Sequence, residues 1–163
     1  MATPSFTQLA ELPLMHQATI PEEWLDDMGH MNVMWYTHLF SQATVELFHI
    51  LGLDRNYFET NHRGAFALEN HVRYLSEVRV NKRVSVRTRM LGRSEKRLHF
   101  MHFLLNDDEN ALSTIAEFVS AHIDMSVRRM AAIPPEIADT FDRMLEAHRT
   151  LDWHAPVCGV MRP

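Results

Sequence analysis

The segment from Trp24 to Tyr36, Trp-Leu-Asp-Asp-Met-Gly-His-Met-Asn-Val-Met-Trp-Tyr, gathers side chains that core-building does not need: Asp26, Asp27, His30 and Asn32 around Gly29. It runs straight into a stretch with helical apolar periodicity, which puts these residues on a turn at a helix start. The first amide N–H groups of a helix are unpaired and its dipole is positive there, a setting suited to an oxyanion. Asp26 lies on that turn, where its carboxylate can either attack a carbonyl carbon or draw a proton from water. Gly29 serves a tight turn or a close substrate approach. His30 is placed to orient a substrate or hydrogen-bond the carboxylate, and Asn32 is mainly a helix cap.

Other candidate groups are weaker. Glu46 and His49, three apart on the helix, could meet as an alternative acid, although a solvated face explains them as well. Glu69 and His71 share one face of a strand and could line a pocket across a dimer interface. His99 and His102 point to opposite sides of a strand and cannot easily share an ion, so no metal site is assigned. Ser41 and Ser94 lack the setting of a nucleophile elbow. Cys158, the one cysteine, excludes an internal disulfide and a multi-cysteine metal site and agrees with a reducing compartment, the cytoplasm.

These groups must be held by a sizeable scaffold, and 163 residues suffice for one domain with its own core. From Val33 to Leu51 apolar residues recur at Val33, Tyr36, Leu39, Phe40, Ala43, Leu47, Ile50 and Leu51, predicting a long helix with one broad buried face between Asn32 as N-cap and Gly52 as stop. A short strand is expected from Leu14 to Ile20, with residues 1–12 as a loose arm. Asp54–Arg63 reads as a short helical turn. Strands are expected around Phe66–Tyr74, Arg83–Met90 with Gly92 near the turn, Lys96–Leu105, and Leu112 to about Met125 after the turn cluster Asn106–Asn110. Pro134 and Pro135 open a last helix to about His148, followed by a tail.

One strand, one long helix and four further strands in sequence give an α+β class in which a sheet of about five antiparallel strands curls around the helix. That is the hotdog fold, with a core over 14–135 and an extra C-terminal helix and tail over 136–163. No apolar run approaches the ~18 residues of a membrane span, and the first basic residue other than histidine is Arg55, unlike a signal peptide. A net charge of −5 argues against bulk nucleic-acid binding. Nine Lys or Arg nevertheless fall between Arg73 and Arg97 against Glu77 and Glu95. The alternation over Arg83–Met90 reads as a half-buried strand whose arginines form a solvated outer face.

Asp26-x-x-Gly29-His30-Met31-Asn32, followed by Tyr36 and the long helix, resembles the Asp-x-x-Gly-His-x-Asn signature of hotdog acyl-CoA thioesterases related to the 4-hydroxybenzoyl-CoA thioesterase. Pro21-Glu22-Glu23-Trp24, His71-x-x-Tyr74-Leu75-x-Glu77-Val78 and His122-x-Asp124 extend the similarity to the branch of betainyl-CoA thioesterases and the thioesterase-like part of some carnitine dehydrogenases. The match covers roughly Leu14 to Pro135. Many relatives carry a further aspartate two places before the motif aspartate; this chain has Trp24 there and a second acid at Asp27.

The resemblance implies hydrolysis of an acyl-CoA thioester, with no cofactor beyond the CoA of the substrate. A homodimer or homotetramer is expected because a single curled sheet leaves strand edges that a second copy can pair. It assigns the carboxylate role to Asp26 rather than Asp27, and includes Gly29, His30 and Asn32 in the catalytic turn. Arg93, Lys96 and Arg97 are the expected partners of the CoA phosphates. Trp35, Tyr36, Glu69 and His71 are expected on the substrate side. Betaine would need an aromatic or anionic cage, for which Trp24, Trp35, Tyr36, Tyr74 and Trp153 are available, whereas a fatty acyl group would need an apolar channel. A hydroxyacyl-thioester dehydratase and a non-catalytic acyl-CoA-binding module are the competing readings.

Overall fold

The computed structural model describes residues 3–163. Helix α2 spans Val33–Leu51, begins where the Asn32 side chain accepts the Met34 N–H at 3.0 Å, and stops at Gly52 in left-handed backbone, φ 85°. Tyr36, Leu39, Phe40, Ala43, Leu47 and Leu51 are its buried face. That stripe is enclosed by one antiparallel sheet of β1 (Leu14–Thr19), β2 (Arg63–Tyr74), β3 (Arg83–Arg93), β4 (Arg97–Asn106) and β5 (Ala111–Asp124), with the two-residue β6 (Arg129–Met130) beside β5. Val84, Val86, Met90, Leu98, Phe100, Leu104 and Ala116 face the helix and make one cluster with it, the hotdog arrangement. The short α3 (Arg55–Asn61) connects α2 to β2, and α4 (Pro135–Arg149) packs Ile137, Phe141 and Leu145 into the same core. No helix among the described residues is long and apolar enough to cross a membrane.

The strands are not paired in sequence order. Their order in space is β1-β3-β4-β5-β2, so β2 pairs with β5 and forms one edge. A β2–β3 hairpin would leave the start of α2 uncovered. Instead residues 75–82 cross over it: the Val78 carbonyl accepts the Met31 N–H at 2.8 Å, and both residues are buried. Ser113 anchors the beginning of this crossover through its carbonyl and hydroxyl, and Ile20 anchors its end through paired backbone bonds with Asn81 and Lys82. Gly92 sits at an irregularity in the β3–β4 pairing rather than at the turn, where the Ser94 N–H bonds the Arg97 carbonyl.

The outer face of the sheet is not solvated as the alternation over Arg83–Met90 suggested. A second apolar cluster covers it, in which Leu9, Leu12 and Trp153 from the two ends of the chain pack on Met101, Phe103, Leu105 and Ile115. Residues 3–12 are therefore no loose arm: α1 (Phe6–Ala10) carries a Ser5/Gln8 capping box, and Leu9 is buried; the first two residues of the expected arm lie outside the described residues. The outward arginines hold this cover down. Arg89 lies 4.1 Å over the Trp153 ring and donates to the Trp153 and His148 carbonyls, while Arg87 donates to the Leu12 carbonyl. A guanidinium has a flat, weakly hydrated face and five donors, so it can be enclosed where several carbonyls meet.

Two buried histidines are held neutral. His102 lies between Thr44 and Thr88, at 3.0 and 2.7 Å. The Thr44 hydroxyl already donates to the Phe40 carbonyl, so it accepts from Nε2–H of His102 and leaves Nδ1 to accept from Thr88. Complete burial pushes the His102 pKa down to about 3. His148 accepts the Met90 N–H at Nδ1, and burial with the nearby Arg89 charge pushes its pKa down to about 4. Both folded-state values lie below the ordinary 6.5, so the unfolded chain binds more protons between about pH 3 and 6.5 and stability falls with falling pH across that window. Calorimetric unfolding should show Tm unchanged just above pH 7 and dropping steadily from pH 6.5 to 4, with His102 alone costing on the order of 2 kcal/mol at pH 5. A Tm that does not change between pH 7 and 5 would contradict this account.

Candidate active site

The turn that carries Asp26 is closed by its own backbone. Asp26 N–H donates to the His30 carbonyl at 3.0 Å, Gly29 N–H donates to the Asp26 carbonyl at 3.0 Å, and Oδ1 of Asp26 accepts the Met28 N–H at 2.9 Å. Gly29 supplies the left-handed conformation this closure needs, φ 81°. Leu25 bridges to Met31 and the Asn32 N–H bonds the Trp24 carbonyl at 2.9 Å, so chain entry and exit are clamped beside each other. His30 Nδ1 lies 3.4 Å from Oδ2 of Asp26, both side chains being about one-third exposed.

Asp26 and His30 face a cleft of about 380 Å³. Tyr36 enters it from α2 and Tyr74 from the end of β2, their rings edge to face at 5.1 Å. Burial raises the pKa of the Tyr36 hydroxyl. The crossover contributes Leu75, Ser76 and Glu77, the last paired with Arg79 at 2.6 Å, and the helix start contributes Met31 and Val33. Asn32 uses its oxygen on the Met34 N–H, and Trp35 N–H bonds the Asn32 carbonyl. The Val33 N–H has no hydrogen-bond partner among the described residues, as is usual for an amide in the first turn of a helix.

Asp26, His30 and Tyr36 of the expected residues thus come together, with Gly29 and Asn32 shaping the turn and the cap. Trp35 does not line this cleft: it stacks face to face on Trp24, centroids 4.4 Å apart, with His38 edge-on to both. Trp153 is also elsewhere, under Arg89. Glu69 and His71 line a different cleft of about 480 Å³ beside the C-terminal segment. Arg93 is no free cation, because two of its nitrogens bond the two carboxylate oxygens of Asp142 on α4 at 2.8 and 2.6 Å. Lys96 and Arg97 form no ion pair among the described residues. Arg97 pairs with Ala121 and Tyr74 with Thr114, so along β5 the basic pair and the cleft are separated by roughly 23 Å at about 3.3 Å per residue. Within one chain only a long ligand could join them.

Glu46 and His49 are half exposed, 3.9 Å apart, and line no part of the cleft. His122 is a structural residue here, with Nδ1–H donating to the Ala131 carbonyl at 3.3 Å and Nε2 accepting from the Tyr57 hydroxyl at 2.9 Å; Asp124 pairs with Arg63. Ser76 was not singled out by the sequence, and Met31 and Leu75 stood in the quoted motifs without a role of their own. Tyr74 and Glu77 were visible in the extended motif, but only the crossover shows that they meet Asp26.

Residues 20–141 match the profile of a family described as the thioesterase-like superfamily. The chain belongs to the thioesterase-like superfamily. Among its relatives, the Pseudomonas aeruginosa betainyl-CoA thioesterase is 31% identical over 143 residues, covering 88% of this chain and 90% of that protein. The L-carnitine dehydrogenase/betainyl-CoA thioesterase of Agrobacterium fabrum is 35% identical over 136 residues; the match covers 83% of this chain and 28% of that longer protein. A solved structure of a hypothetical Staphylococcus aureus protein in complex with CoA superposes with a TM-score of 0.81 at 26% identity, covering 88% of this chain and 90% of the other.

In this member of the superfamily the left-handed Gly29 carries a testable cost. A Cβ there would meet nothing within 4 Å, so any penalty is conformational rather than steric. Gly29→Ala should destabilise the fold by about 1–2 kcal/mol, and Gly29→Asn by less, since asparagine tolerates left-handed backbone. Urea unfolding of the two variants side by side is the measurement; equal losses would refute the conformational explanation.

Proposed function

We propose that this protein hydrolyses acyl-CoA thioesters, with betainyl-CoA as its substrate. The observation that carries the reading is that one cleft is lined both by Asp26 and by Val33, the first residue of α2, whose N–H is unpartnered among the described residues. The thioester carbonyl oxygen would sit at the Val33 amide, where the helix dipole favours the oxyanion. In one course Asp26 attacks the carbonyl carbon, the C–S bond breaks to release CoA thiolate, and water then cleaves the acyl-aspartyl anhydride. In the other Asp26 takes a proton from water, whose oxygen attacks directly, and the proton passes to the leaving thiolate. His30, 3.4 Å from Asp26, orients the carboxylate or the substrate. No cofactor takes part; CoA leaves as product.

For the acyl group, the cleft offers the Tyr36 and Tyr74 rings together with the carboxylates of Asp26 and Glu77. Aromatic faces and anions are what a trimethylammonium group requires, and the betainyl-CoA thioesterase relatives support the same choice. Asp26→Asn tests the central assignment cleanly, because the amide oxygen can still accept the Met28 N–H and keep the turn. With betainyl-CoA beside short and medium acyl-CoAs and a thiol reagent, the variant should lose about 10²–10⁴-fold in kcat on the best substrate with Tm within a few degrees of the parent. Wild-type turnover in the variant would sink the role of Asp26. Saturable binding of CoA esters without thiol release by the parent would instead identify a binding module.

The active form is proposed to be a homodimer or a dimer of dimers in the cytoplasm, where CoA esters and a reduced Cys158 coexist. β2 is a twelve-residue edge with no strand paired to its far side among the described residues, and Phe66 on it is 65% exposed. Long, flat, apolar edges are places where a second copy pairs. A second copy could also bring its Lys96 and Arg97 towards the CoA phosphates that the first chain's pair cannot reach. Sedimentation velocity should show at least a dimer, and Phe66→Glu should shift it towards monomer at micromolar concentration. A monomeric parent protein would remove this part of the reading.

A further inference from the structure

On the outer face of the sheet, away from the Asp26 cleft, Met101 of β4, Glu117 of β5 and His71 of β2 stand side by side in register. Glu117 is only 1% exposed. One of its oxygens, Oε1, lies 2.8 Å from Nε2 of His99, and the other, Oε2, accepts the backbone N–H of Cys158 at 2.6 Å. That second bond draws the C-terminal segment back across the sheet and puts the only thiol of the chain beside a buried carboxylate. The potential ligand atoms of His71, Glu117 and Cys158 all lie within 4.8 Å of one another.

We propose that these three side chains form a binding site for zinc or a similar borderline-soft divalent cation. Imidazole nitrogen, carboxylate oxygen and thiolate sulfur are the donor types zinc selects, and three protein ligands leave a fourth position for water. The adjoining cleft of about 480 Å³, which Glu69 and Val160 also line, gives solvent and the ion access to that position. Bonds of about 2.0–2.3 Å in tetrahedral geometry imply ligand separations of roughly 3.3–3.8 Å, so the group must close by about 1 Å. The exposed ring of His71 and the irregular segment bearing Cys158 can supply that movement. His99 supports the carboxylate from behind, as outer-shell partners of metal ligands do.

Coordination replaces the thiol proton, and the imidazole proton if one is present, with the ion; both protons leave to solvent. The ion would join β2, β5 and the C-terminal segment by bonds that bypass the intervening chain. Edge pairing between copies uses the backbone of β2 and leaves this face clear.

The test uses the full chain after dialysis against a chelator. Titration with Zn²⁺ by calorimetry should give one ion per chain and raise Tm, and Co²⁺ should give a near-ultraviolet thiolate-to-metal absorption band. Cys158→Ser should abolish that band, and Cys158→Ser and His71→Ala should each weaken Zn²⁺ binding at least tenfold. Glu117 is better left in place, since its loss would strand His99. Asp26→Asn should bind Co²⁺ as the parent does, which keeps this outcome separate from that of the hydrolysis assay. No stoichiometric uptake, or uptake unchanged in both Cys158→Ser and His71→Ala, would overturn the proposal.

Discussion

Everything in this fold follows from the need to bury one face of α2. A nineteen-residue helix with Leu39, Phe40, Ala43 and Leu47 fully enclosed cannot be covered by a flat sheet, so the strands must bend around it. Bending sends β2 to one edge while β1 and β3 occupy the other side. The chain must then cross from one side to the other, and the place left for it is over the helix N-terminus. There the Met31–Val78 hydrogen bond fixes the crossover against the Asp26 turn. The cleft exists because of that route: one wall comes from the turn and helix start, the other from Tyr74 and the crossover.

Within the turn, the two oxygens of a single carboxylate have different neighbours. Oδ1 of Asp26 is committed to the Met28 N–H, and Oδ2 looks towards His30. At the helix start the Asn32 oxygen satisfies the Met34 amide, while its neighbour Val33 has an amide unpaired among the described residues. Groups fixed in this way lose little freedom when a substrate arrives, which is the condition under which oriented dipoles act most strongly on developing charge.

Much of this was legible in the sequence. The limits of α2 followed from Asn32, the apolar spacing and Gly52, and the turn followed from Asp26, Gly29 and His30. Strand order was not legible, because hairpin spacing describes neighbours along the chain and β2 pairs with a partner some fifty positions later, as Phe66 with Ala121. The covered outer face was missed for a different reason. Alternating arginines normally mark solvent, and nothing local to Arg87 or Arg89 reveals that carbonyls from Leu12, His148 and Trp153 will meet them. Helix α1 was missed because a five-residue helix carries too short a period to be read. Arg93 shows the same limit, since its role depends on Asp142 from a helix beyond the recognised motif.

The outer cover joins the two ends of the chain, down to a contact between the Gln8 amide and the Asp152 carboxylate at 3.2 Å. Its consequence is one of timing. Synthesis runs from one end to the other, so the sheet strands are all made before Trp153 exists to lie on them. Until then Met101, Phe103, Leu105 and Ile115 present an open apolar surface, and Leu9 and Leu12 have only part of their final surroundings. Trp153, made after every strand it covers, therefore turns a sticky half-finished sheet into a closed one, and a chain cut short before it would remain an aggregation-prone folding intermediate.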